Sequence, residues 1–153
     1  MIRIQRILVR TDFSACSEPA LKYAAEFATS MAAKLYVLHV AEYSKEGGDP
    51  STAKYIIPEY LAEADEKSQS RLNQITDDLK RRGVDAHPLL VAGRAYADIV
   101  QTAEDMAIDL IVIATHGRTG FSHLVFGSTA EKVVRLARCP VLTVKPQASP
   151  LAA

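Results

Sequence analysis

Several things are scarce in this chain, and each shortage removes a class of protein. Only two cysteines occur, Cys16 and Cys139, far apart and without the spacing of a zinc or thioredoxin site. They read as reduced, largely buried thiols, which fits a reducing cytoplasm. Charge of one sign is not in excess: 18 Lys and Arg balance 18 Asp and Glu, so the electrostatic signature of nucleic-acid or anionic-membrane binding is missing. A small molecule or another protein is the expected partner. No apolar run approaches the roughly 20 residues of a membrane helix. The start, Met1-Ile2-Arg3-Ile4-Gln5-Arg6, lacks the apolar core of a signal peptide. The expectation is a cytoplasmic protein with one domain over residues 1–146 and a flexible tail over 147–153. Such a domain buries roughly 70% of the surface its unfolded chain exposes, without help from disulfides or metal.

Familiar catalytic signatures are also missing. No Gly-Lys-Ser/Thr follows the glycines, as a Walker loop requires. No Gly-x-Gly-x-x-Gly follows the first strand, so a dinucleotide dehydrogenase is disfavoured and a mononucleotide fits better. His39, His87, His116 and His123 are not spaced as a metal set. Ser14 and Ser17 have no nucleophile-elbow context, and no general base can be named.

What is present is an alternation of short apolar, β-branched runs with longer amphipathic ones, the pattern of a parallel sheet covered by helices on both faces. The strand candidates are Ile7–Val9, Leu35–Val40, Leu89–Val91, Leu110–Ala114 and Val141–Val144. Between them, Leu21, Ala24, Ala28 and Met31 share one helical face. Leu61, Ala64, Ser68, Leu72, Ile75 and Leu79 continue a second face until Gly83 stops it. A third helix is expected from about Ala95 to Met106. For a fourth, Ser128-Thr129-Ala130-Glu131 has capping-box spacing. Residues 42–58 form one irregular insertion, either a lid or merely a long loop. Pro88 suits an edge strand. With right-handed crossovers, the chain then builds a doubly wound α/β sheet of five parallel strands in the order 3-2-1-4-5, reversing between strands 1 and 4.

In such sheets a ligand binds at the carboxyl ends of the strands that flank the reversal. Here those ends read Val9-Arg10-Thr11-Asp12 and Ile113-Ala114-Thr115-His116, the second continuing into Gly117, Arg118, Gly120, Gly127, Ser128 and Thr129. A strand, a glycine-bearing loop and a helix N-terminus together make an anion cradle, to which Arg118 adds a permanent positive charge. Asp12 can accept hydrogen bonds from a ribose or base, or can cap the following helix. Among the histidines, His116 alone is expected at the crevice.

These pieces, together with Ile7-Leu8-Val9-Arg10-Thr11-Asp12-Phe13-Ser14, Leu38-His39-Val40 and Cys139-Pro140-Val141-Leu142-Thr143-Val144, resemble the universal stress protein family over about residues 3–146. The nucleotide-binding branch of that family carries Gly, two residues, Gly, nine residues, Gly, then Ser or Thr. Gly117, Gly127 and Ser128 match that spacing, while Ala114 replaces the first glycine and Arg10 stands where proline is usual. The resemblance implies Asp12, with Thr11 beside it, near adenine and ribose, and backbone contacts from Val40 to the base. It implies Gly117, Arg118, Gly120, Gly127, Ser128 and Thr129 around the phosphates, with His116 next to them. It further implies ATP as ligand, any Mg being held through the phosphates, and a homodimer through Val141–Val144 in a stress-response or regulatory role with an unnamed protein partner. Two other readings stay open: a slow ATPase, autophosphorylating or nucleotidyl-transfer enzyme, and an interaction module that has lost its nucleotide.

Overall fold

Each apolar run becomes a strand: β1 (Arg6–Arg10), β2 (Lys34–Glu42), β3 (Ala86–Gly93), β4 (Leu110–Ala114) and β5 (Val141–Val144). The computed structural model describes residues 1–42, 58–116 and 126–146, with the backbone alone over 58–64. All five strands are parallel, in the order β3-β2-β1-β4-β5. At the centre Val9 lies between Val37 and Val112. Strands β1, β2 and β3 run beyond their apolar cores because backbone pairing continues past the residues that carry the hydrophobic signal; Arg6 and Arg10 extend β1, and Glu42 ends β2. Pro88 is on β3, at the sheet edge, where a missing backbone donor is tolerated.

Among the described residues four α-helices cover the two faces: α1 (Glu18–Met31), α2 (Pro58–Arg81), α3 (Ala95–Asp105) and α4 (Ser128–Leu136). Side chains alternate along the strands, so Ile7, Val9, Leu35, Val37 and Val112 pack under α1 and α2. Their neighbours Leu8, Leu38, Ile111 and Ile113 pack under α3 and α4. The buried stripe of α1 is Ala20, Ala24, Ala25 and Ala28, small residues that admit close approach to the sheet. That stripe is rotated from the expected one, leaving Leu21 half-buried and Met31 41% exposed. In α2, Leu72 and Leu79 are buried as their spacing requires, and Gly83, at φ +85°, ends the helix while the Val84 amide donates to the Leu79 carbonyl at 3.0 Å. The insertion between Glu42 and Pro58 lies outside the described residues, as does the tail 147–153. Both cysteines are free thiols, half-buried rather than largely buried. Among the described residues no helix is long and apolar enough to cross a membrane.

From β1 the chain builds toward β3 on one side, then crosses back to place β4 and β5 on the other. The helices on the two sides of this reversal leave the strand ends in opposite directions, and a crevice opens between them.

Candidate functional site

The crevice at the carboxyl ends of β1, β2 and β4 measures about 1070 Å³. Six residues singled out in the sequence line it together: Asp12, Val40, Ala114, Gly127, Ser128 and Thr129. They come from four parts of the chain, and only the parallel sheet brings them into one wall.

Helix α4 supplies its N-terminus. Gly127 is the N-cap and Ser128 already the first helical residue, so the expected capping box does not form and no side chain caps the helix. The reason is local: the Gly127 amide donates to the Thr115 carbonyl at 2.7 Å, which ties the helix start to the end of β4 and leaves Ser128 one place too late to act as a cap. A Cβ at Gly127 would meet that carbonyl oxygen at 2.7 Å. Glycine is required there by close approach, since its φ is −57°. The first amides of a helix lack intrahelical acceptors, and with no side-chain cap those of α4 face the crevice with their share of the helix dipole.

Asp12 is 5% exposed. It does not cap α1; its Oδ1 accepts from the Ser14 amide at 2.9 Å and from the Ser14 hydroxyl, and its Oδ2 lies 3.7 Å from Arg10 Nη1. Burial by itself opposes the negative charge, yet the Ser14 hydrogen bonds and the Arg10 guanidinium outweigh it, and the carboxyl sits below the ordinary aspartate value. The site therefore presents a carboxylate at neutral pH.

Thr11 lies behind this wall. It is buried, its Oγ1 accepts from the Phe13 amide at 3.0 Å, and its carbonyl accepts from His39 Nδ1 at 2.9 Å, which fixes that ring nitrogen as the donor. His116 is half-buried beside the crevice, with Nδ1 2.8 Å from Thr115 Oγ1. His39, rather than His116, forms part of the lining. Gly117, Arg118 and Gly120 lie outside the described residues.

Several lining residues have no assignment in the sequence analysis above. His39 carried a usable signal, because it is a polar residue inside the apolar run Leu35–Val40, near the carboxyl end of β2. Phe13 carried none: its positive φ of 64° turns the ring onto His39, with centroids 4.3 Å apart. Lys67 and Arg71 come from α2, on a helix whose register against the strand ends exists only in three dimensions. Among the described residues no cluster of His, Cys, Asp or Glu could hold a metal ion.

A five-stranded parallel sheet in this order, with an uncapped helix N-terminus opening at the reversal, defines the class of doubly wound α/β domains with a crevice at the strand ends. Within that class the chain belongs to the universal stress protein family, whose model matches residues 3–145. Universal stress protein MJ0531 of Methanocaldococcus jannaschii is 33% identical over 142 residues, 92% of this chain and 82% of that protein. The solved structure of MJ0577, from the same organism, is 29% identical and superposes with a TM-score of 0.84 over 97% of this chain and all of that one. The universal stress protein of Archaeoglobus fulgidus in complex with dAMP shares the fold, at 23% identity and a TM-score of 0.61, over 95% of this chain and 100% of that one.

Proposed function

We propose that the crevice binds an adenine nucleotide, ATP in the first instance, and that its occupancy alters the surface of a homodimer serving a regulatory role in the stress response of the cytoplasm. The observation that carries this reading is the N-terminus of α4, uncapped by any side chain and opening into the same crevice as Asp12 and Val40. The amides and hydroxyls of Ser128 and Thr129 would hold phosphate oxygens, with Gly127 allowing the close approach. Gly117, Arg118 and Gly120 would complete the phosphate loop, with His116 alongside. The Asp12 carboxylate suits a ribose hydroxyl or a base amine, and the backbone of Val40 suits the edge of the base. Ala114 contributes a small wall behind them, and Thr11 holds that wall through His39. A Mg ion would be carried through the phosphates, as Mg commonly is at nucleotide sites.

Dimerisation rests on the other end of the sheet. β5 is an edge strand, and Val134 and Leu136 on α4 are 45% and 53% exposed near it in the chain. An edge of this kind invites pairing with a second copy around a two-fold axis.

Calorimetry with millimolar ATP and magnesium tests the nucleotide reading. Binding to the folded state alone raises its stability by about 2.7 kcal/mol at a ligand concentration 100 times the dissociation constant. No heat and no rise in melting temperature would refute it, and mass spectrometry of nucleotide released on denaturation would identify the ligand carried from the cell.

A further inference from the structure

Helices α2 and α4 pack on opposite faces of the sheet, so the crevice has two walls facing each other across the strand ends. The α4 wall offers backbone amides. On the α2 wall, Lys67, Arg71 and Gln74 line the crevice at spacings of four and three residues, which puts them in one stripe on one helical face. Two cations at i and i+4 repel each other and weaken an isolated helix, a cost an anion between them removes. Arg71 is held in place: its guanidinium carbon lies 5.2 Å from the centroid of Phe13, whose ring stacks in turn on His39. A cation–π contact engages the charge of a guanidinium without consuming all of its N–H donors, which stay available to oxygen acceptors.

The carboxylates of the crevice are already engaged. Asp12 is bound to Ser14 and Arg10, and Glu42 Oε1 accepts from the Ala95 amide at 2.9 Å. Among the described residues neither Lys67 nor Arg71 makes an ion pair. The crevice thus has an anion-binding end on each side and a volume of about 1070 Å³ between them.

Resting on the reading of this crevice as a nucleotide site, we propose that the α2 stripe is a second phosphate ledge, and that among adenine nucleotides with one 5′ phosphate the crevice prefers those that carry a further phosphate on the ribose, the nucleoside bisphosphates. One phosphate sits at the N-terminus of α4 and the other, on the 2′ or 3′ oxygen of the ribose, between Lys67 and Arg71.

Calorimetry on the full chain at low ionic strength, with adenosine 5′-monophosphate, adenosine 2′,5′-bisphosphate and adenosine 3′,5′-bisphosphate, tests it and separates the two ribose positions. One bisphosphate is expected to bind at least about tenfold tighter than the monophosphate, as a charge-assisted contact to phosphate requires. Lys67→Gln and Arg71→Gln should each erase most of that advantage while leaving monophosphate affinity within about twofold. Because Arg71 also packs on Phe13, the exposed Lys67→Glu serves as a second probe and should make the bisphosphate bind more weakly than the monophosphate. If the monophosphate binds but neither bisphosphate gains, or if the gain survives all three variants, the ledge is refuted and the nucleotide reading stands. If ATP binds but none of the three ligands does, the ledge alone is refuted; if ATP fails to bind as well, the nucleotide reading falls and the ledge with it.

Discussion

The carbonyl oxygen of Thr115 accepts a 2.7 Å hydrogen bond from the amide of Gly127 and lies 2.7 Å from where a Gly127 side chain would begin. One oxygen thus both anchors the start of α4 to the end of β4 and forbids any residue but glycine at that point.

In the sequence Gly127 reads as a surface-loop residue where valine would obstruct phosphate and spare the fold. The contact with Thr115 reverses that expectation. Even Gly127→Ala should force the helix start away from the strand, lowering the free energy of unfolding by about 1–3 kcal/mol. Nucleotide affinity should fall at least tenfold with it. Urea denaturation and calorimetry on the same variant check both effects, and a variant as stable as the parent would show that the helix start can shift freely.

Asp12 makes stability depend on acid. Its folded-state carboxyl lies below the ordinary value of 3.8, so its contribution is fully present above that pH and disappears as pH falls through the lower, folded value. The chain should therefore lose stability below pH 3.8 partly through this residue. In Asp12→Asn that part of the acid limb should flatten, at the expense of lower stability at neutral pH because the Arg10 contact is lost. Denaturant midpoints of parent and variant at neutral and strongly acidic pH provide the comparison; parallel curves would contradict it.

Ala32 and Ala107 adopt left-handed backbone with φ of 51° and 50°. An L-residue with a Cβ is strained there, and Ala32 occupies the helix-ending position that glycine usually fills. Ala32→Gly and Ala107→Gly should each raise stability by up to about 1 kcal/mol, the relieved strain exceeding the extra chain entropy of glycine. Thermal unfolding would register each as a higher melting temperature.

The β5 edge gives a clean test of self-association. The carbonyls of Pro140 and Val144 accept from Ile111 and Thr115 of the β4 side, so alternation turns the Thr143 amide outward, away from β4. Thr143→Pro should then remove a donor from the proposed dimer ladder with little harm to the sheet. Sedimentation should show a dimer for the parent and a shift toward monomer for the variant. A parent that stays monomeric at high micromolar concentration would rule the ladder out.

The elements were legible in the sequence because a parallel sheet buries both faces. Leu110–Ala114 is a continuous apolar run and Val141–Val144 one broken only by Thr143, and the ends of both coincide with the ends of pairing. Strand order was legible too, from one edge-compatible proline and the handedness of crossovers. Chain propensity was weaker at helix ends: Ser128-Thr129-Ala130-Glu131 has the letters of a capping box, yet a backbone bond from Gly127 to Thr115, across the end of β4, set the helix start one residue earlier.

The sequence by itself determined the sheet, its reversal and the presence of a helix start after β4, because these depend on periodicity and on residues near one another in the chain. Tertiary structure alone decided what faces that helix start. His39 replaced His116 in the lining, Thr11 went behind the wall, and Phe13 turned to stack between His39 and Arg71, because each outcome depends on contacts between residues tens of positions apart. Helix α2 meets the strand ends through the packing of Leu72 and Leu79 on the sheet, and that register, invisible to any local pattern, is what brings Lys67 and Arg71 to the crevice.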